Sequence, residues 1–146
     1  MSILSAGIHS SYVNHPSDPS LSKSYSIKNA ADAAGMYNDV YLEKLALQNL
    51  TVSYVHAAPG FVNTNWGTEM PFFLRALIRP LQSLLGKSAS KCAENMVRGM
   101  KGGNAGGLNL VDENGGVGKA KVCKGHEEGK ERIWKYLTES IGPWCE

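Results

Sequence analysis

The order of elements between Tyr25 and Thr64 constrains this chain more than any other feature. Small and apolar residues recur at intervals of three and four from Tyr25 to about Asn49: Ile27, Ala30, Ala31, Ala34, Tyr37, Tyr41, Leu45 and Gln48, with Leu42 and Ala46 widening the stripe. That period predicts a long helix. Directly after it comes Thr51-Val52-Ser53-Tyr54-Val55-His56-Ala57, which reads as a strand, and then Pro59-Gly60. Helix, short turn, strand and Pro-Gly in succession is the rhythm of a parallel sheet. Small residues dominate the first half of the helix, and Gly35 there costs about 1 kcal/mol relative to alanine. Close approach of another backbone is the expected compensation.

The flanks read more coarsely. Ser2 to Gly7 is the tail of a strand running into a loop, and Ile8 to Ser24, with Asn14, Pro16, Asp18, Pro19 and six serines, is loop. Asn65 to Lys87 is an insertion carrying Trp66, Phe72, Phe73 and several leucines. Pro71 suits a first helical turn, and Pro80 is expected to break or kink the helix. Ser88 caps a helix through about Met100 with Cys92, Met96 and Val97 inside, and Gly102-Gly103 ends it. Gly107 to Val111 is a short last strand, and Asp112 to Gly125 is glycine-rich loop. Glu127 to Ser140 is a final amphipathic helix through Ile133, Trp134, Leu137 and Ile141, stopped by Gly142-Pro143.

Composition excludes several classes. A chain of 146 residues that is 42% hydrophobic is one domain or part of one. Fifteen basic residues against 13 acidic ones, well dispersed, do not make a nucleic-acid surface. No apolar run approaches the roughly 20 residues needed to span a bilayer, so no membrane partner is expected. The short apolar start lacks the form of a signal peptide, which implies a cytoplasmic location. Cys92, Cys123 and Cys145 are an odd, irregular set that fits a reducing compartment. Cys123 and His126 offer two ligands where a closed zinc site needs about four, so a loop is favoured over a metal site.

Two motifs carry chemistry. Tyr25-Ser26-Ile27-Lys28-Asn29-Ala30-Ala31 opens the helix, and Pro59-Gly60-Phe61-Val62-Asn63-Thr64 follows the strand. Together they resemble the C-terminal half of the short-chain dehydrogenase/reductase family. The resemblance implies an α/β fold, a partial Rossmann-like fragment of a doubly wound parallel sheet. Residues 1–146 would form the C-terminal part of an NAD(P)-binding domain, with 65–87 as a substrate lid. It implies NAD- or NADP-dependent reduction of a carbonyl or oxidation of an alcohol on a small molecule, and a homodimer through the 25–49 helix. Tyr25 would be the acid/base and Ser5 would hydrogen-bond the substrate oxygen. Lys28 or Asn29 would hold the cofactor ribose, and Pro59, Gly60, Val62 and Thr64 would grip the nicotinamide.

The chain departs from that pattern in three places. A tyrosine near pKa 10 needs a nearby cation to work at neutral pH. The family places that lysine at i+4, where one helical face would bring the two together; here Asn29 stands at i+4 and Lys28 at i+3. The gap from Ser5 to Tyr25 is longer than usual, which implies a loop insertion. The glycine-rich turn for a pyrophosphate is missing, because Gly102 to Gly107 follows a helix and precedes a strand, the wrong order. Two rival readings therefore stand beside the enzyme: a non-catalytic remnant, and an interaction module built on the 25–49 helix.

Overall fold

A computed structural model describes residues 2–4, 11–64, 70–118 and 126–141 of the chain. It is α/β. The strands are β1 (Ser2–Leu4), β2 (Ser53–Ala57), β3 (Val62–Asn63), β4 (Lys87–Ser88) and β5 (Gly107–Val111). The helices are α1 (Ile27–Gln48), α2 (Phe72–Leu85), α3 (Ala89–Gly102) and α4 (His126–Ile141).

The main sheet has the order β1-β2-β5, and both pairings are parallel. Strand β2 is the centre, with Ala57 beside Leu4 on one side and Val111 on the other. Parallel neighbours need a crossover, and α1 supplies the one between β1 and β2. Side chains alternate across a strand. Tyr54 packs with Leu42 and Ala46 of α1, whereas Val55, Ala57 and Val111 pack with Cys92 and Met96 of α3. The sheet thus carries α1 on one face and α3 on the other. A small parallel ladder, β3 with β4, stands beside it.

Helix α1 is covered from two directions. Ala33, Met36 and Val40 meet Tyr12 of the preceding loop and Ile133 and Leu137 of α4, while Leu42 and Ala46 face the sheet. The expected stripe is out of phase in part: Leu42 and Ala46 are buried and Tyr37, Tyr41 and Leu45 pack against the core, but Ile27 is 84% exposed, and Ala34 and Gln48 are exposed too. A helix held between a sheet and another helix buries two arcs, which a one-stripe reading averages into neither. Gly35 is buried. Asp39 is also fully buried and pairs with His56 Nδ1 of β2, at 0% exposure for both side chains.

Three features differ from the sequence reading. Helix α1 begins at Ile27, not Tyr25, because Ser26 takes the N-cap and its Oγ accepts the Asn29 N–H at 3.0 Å. Helix α2 runs through Pro80 unbroken, leaving the Ala76 carbonyl without its helical donor on a thinly packed helix. In α3 the buried face is Cys92, Asn95, Met96 and Gly99, and Val97 is 46% exposed. Gly99 is small for a reason: a Cβ there would lie 2.2 Å from Val111 Cγ1.

Candidate functional site at the carboxyl end of the sheet

Ligands of open parallel sheets bind outside the carboxyl ends of the strands. Three segments reach that end here: the loop after β2, the loop after β5, and the chain entering α1. The last follows from topology, since the helix between two parallel strands starts where the first strand ends.

The loop after β2 is tied to its neighbours residue by residue. Ala58 N–H donates to the Val111 carbonyl at 3.0 Å, and the Cys92 thiol contacts the Pro59 carbonyl at 3.9 Å. Gly60 has φ +71°, a conformation glycine adopts without penalty. A Cβ on Gly60 would also sit 2.3 Å from Oε2 of Glu113, so the space beside this glycine is filled by the Glu113 side chain. Phe61 accepts the Lys87 N–H at 3.0 Å, which starts the β3–β4 ladder. Val62 is half-buried against the α3 cluster. Thr64 is exposed; its N–H closes on the Val62 carbonyl at 3.0 Å.

The loop after β5 is fixed from the α3 side. Lys87 Nζ donates to the Glu113 carbonyl at 2.6 Å and lies 3.3 Å from its carboxylate. Asn95 Nδ2 donates to the same carbonyl at 3.2 Å, and Arg98 donates to Asn95 Oδ1 and to the Asn114 carbonyl. Asp112 Oδ1 accepts the Asn114 and Gly116 N–H groups at 2.8 and 2.7 Å. Lys87, Asn95 and Glu113 are rim residues that sequence reasoning missed, since their contacts cross long stretches of chain.

The entry to α1 is organised by Asp18. Its carboxylate accepts five hydrogen bonds, from Ser22 N–H and hydroxyl, Lys23 N–H, and Ser24 N–H and hydroxyl, between 2.8 and 3.1 Å. Burial pushes the Asp18 carboxyl up, but these hydrogen bonds, led by Ser24, together outweigh it and bring it to about 2. The Asp18 carbonyl accepts the Tyr12 hydroxyl at 2.8 Å, and Asn29 Nδ2 donates to the Ser24 carbonyl at 2.6 Å. The serine-rich loop is therefore a bonded turn leading directly to Tyr25.

The predicted catalytic set is only partly assembled. Tyr25 is 74% exposed and lies outside the helix, so the expected helical-face geometry between it and Lys28 or Asn29 does not form. Lys28 pairs with Asp32 one turn on, on the surface. Asn29 is committed to the loop through Ser24. Ser5 lies outside the described residues, as do Cys123 and Trp66. Tyr37 and Tyr41 do other work. Tyr37 donates to the Pro19 carbonyl at 2.8 Å, and burial, then Tyr12 and Tyr136, push its phenol up. Tyr41 lies against Trp134 with ring centroids 5.8 Å apart.

Glu43, His126 and Glu127 bring three metal-type ligand atoms within 4.8 Å of one another. A cation already stands there. Lys130 Nζ is 2.7 Å from Glu127 and 3.8 Å from Glu43, and these two carboxylates, Glu127 first, raise its pKa. His126 Nε2 closes on Glu43 at 2.5 Å. The cluster is a polar joint between α1 and α4.

No protein-family model matches the chain, and no curated protein and no solved structure matches it either. No helix among the described residues is long and apolar enough to cross a membrane.

Proposed function

We propose that this chain is the carboxyl-terminal part of a short-chain dehydrogenase/reductase-like oxidoreductase, with a partial Rossmann-like sheet. It works with NAD or NADP on a small carbonyl or alcohol. What supports this reading is the order of elements: α1 follows β1 and precedes the parallel strand β2, so its start and the Pro59-to-Thr64 loop both belong to the carboxyl end of the sheet. Tyr25 enters from the start of α1, and Pro59 to Thr64 leaves β2 beside the end of β5.

In this reading Tyr25 gives or takes the proton, and its exposure leaves the hydroxyl accessible to substrate. Ser5 stabilises the substrate oxygen. Pro59, Gly60, Val62 and Thr64 grip the nicotinamide, which supplies the hydride when bound. The backbone of Gly60 can meet a flat ring only after the Glu113 side chain moves off it. Lys28 and Asn29 meet the ribose by giving up Asp32 and the Ser24 carbonyl. With no glycine-rich turn for the pyrophosphate, the chain by itself binds the nucleotides weakly.

Calorimetric titration with NADH and NADPH tests the last point; micromolar affinity for either refutes it. Fusing the chain to a complete nucleotide-binding half and replacing Tyr25 by Phe tests the chemistry. Loss of about 10²–10⁴-fold in turnover is expected for one general acid. A Tyr25→Phe enzyme as fast as its parent removes Tyr25 from the reaction. Self-association through α1 is the weaker reading, because only Ile27, Lys28, Ala34, Leu47 and Gln48 of that helix are exposed.

A further inference from the structure

The loop that leads into α1 meets α4 through Tyr12 and His15. Tyr12 enters the core cluster beside Ile133 and Leu137, and the His15 ring lies on Gly129. His15 N–H donates to the Tyr12 carbonyl at 3.3 Å, so one turn carries both rings. On α4, Gly129, Ile133 and Leu137 stand four residues apart and share a face. Glycine is a poor helix former, and the imidazole gives the reason for one here. A Cβ on Gly129 would lie 2.5 Å from Cε1, 2.9 Å from Nε2 and 3.1 Å from Nδ1 of His15. The ring occupies the place where a side chain would begin.

That seat suits a neutral imidazole. His15 is 8% exposed, and its Nδ1 has no hydrogen-bond partner among the described residues. A protonated ring donates from both nitrogens, so protonation buries a charged donor with no acceptor, which is costly. Two charged side chains of α4 face the ring: Arg132 opposes the proton and Glu128 favours it. Burial first, and then Arg132, hold the His15 pKa below its ordinary value in spite of Glu128. The titratable groups of its own loop are committed elsewhere. The Tyr12 hydroxyl meets the Asp18 carbonyl and Ser24, and the Asp18 carboxylate takes Ser22, Lys23 and Ser24.

We propose that His15 seated on Gly129 is an acid-opened latch, and that protonation of the imidazole parts the 11–24 loop from α4 while the parallel sheet stays folded. A released imidazole takes its proton near about 6.5, and the seated one only at lower pH. Docking is therefore complete above about 6.5 and weakens as pH falls below it. The Asp18 carboxyl keeps its charge down to about 2, so the loop comes away as a bonded turn. It stays tied to α1, through Tyr37 on the Pro19 carbonyl at 2.8 Å and Asn29 on the Ser24 carbonyl at 2.6 Å. The opening is a crevice between the loop and α4, and it uncovers the apolar face of Ile133 and Leu137.

NMR of the full chain at about pH 7.5 and about pH 5, either side of the free imidazole value, reads the latch directly. The nuclear Overhauser contact between the His15 ring and Gly129 is expected at the higher pH and lost at the lower, while the amide shifts of β2 and β5 stay in place. The latch is overturned if that contact survives protonation of the ring, or if the sheet signals collapse with it, because acid then unfolds the whole domain. Thermal melts give a second reading. Between the two pH values the parent should lose more Tm than His15→Gln, by about 3–5 °C for each unit separating the seated from the free pKa. Equal losses in the two proteins refute the proposal. In Gly129→Ala the new methyl displaces the ring, so its imidazole should titrate nearer to about 6.5 than the parent's does; an unchanged titration means that the ring is not held by this seat.

Discussion

Replacing Asp39 with Ala removes one half of the buried pair that bolts α1 to the central strand. Both side chains are at 0% exposure, so water cannot take the place of the missing partner. Truncating one member of a buried hydrogen-bonded pair of this kind costs about 3–5 kcal/mol. A domain of this size has on the order of 5–15 kcal/mol in total. Each kcal/mol moves Tm by about 2–4 °C at this length, so Asp39→Ala should melt roughly 6–20 °C below the parent. His56→Leu should also destabilise, by removing the imidazole that Asp39 pairs with. Asp39→Leu with His56→Leu together should recover most of the loss, since an apolar pair of similar volume needs no partners. Urea denaturation of the four proteins, followed by circular dichroism, closes the cycle. If Asp39→Ala costs less than about 1 kcal/mol, or if the double replacement is as damaging as the sum of the singles, the pair is not the fastener described.

Three further outcomes are expected. The Asp18 carboxyl is held below its ordinary value, so its contribution is full above the unfolded pKa of about 4. It fades as pH falls toward about 2; an acid melt of Asp18→Asn should lack that step, and an unchanged profile would contradict it. Gly60→Ala should cost about 1–2 kcal/mol of left-handed strain and displace Glu113, read as a lower Tm that a paired Glu113→Ala partly restores. Gly99→Ala should destabilise: overpacking against Val111 costs about 1–3 kcal/mol, set against at most about 1 kcal/mol of helix propensity gained, and a raised Tm would refute the close contact.

Much of the architecture was legible because it is local. The strand ending at Ala57, the strand Gly107–Val111 and the Ser88 cap each declare themselves within a few residues through β-rich runs, glycines or a hydroxyl. What escaped was contact between distant segments. The phase of α1 depends on Ile133 and Leu137 arriving from α4, which no window around Met36 contains. The Glu113 side chain lying over Gly60 is equally invisible from the Pro-Gly motif. Two signals were there to be read: a carboxylate at Asp39 inside an apolar period, and a histidine at His56 inside an apolar strand. Asp18 ahead of Ser22 and Ser24 was a third, since serines that can donate to one carboxylate turn a loop into a structure. Tyr25 illustrates the limit of a motif. Ala30 and Ala31 fit the pattern and Asn29 departs from it, yet it is Ser26 that claims the cap and leaves the tyrosine outside the helix.

The packing of α4 on α1 also sets the order in which this chain can fold. Met36 and Val40 share their buried cluster with Ile133 and Leu137, which come about two-thirds of the chain length later. At roughly 5–20 residues added per second, a growing chain holds that apolar face of α1 open for several seconds. During that interval the face is available to chaperones or to other nascent chains. Folding is then gated by the last helix: the bonded Asp18 turn can form early from neighbouring residues, but the core of α1 closes only when α4 docks.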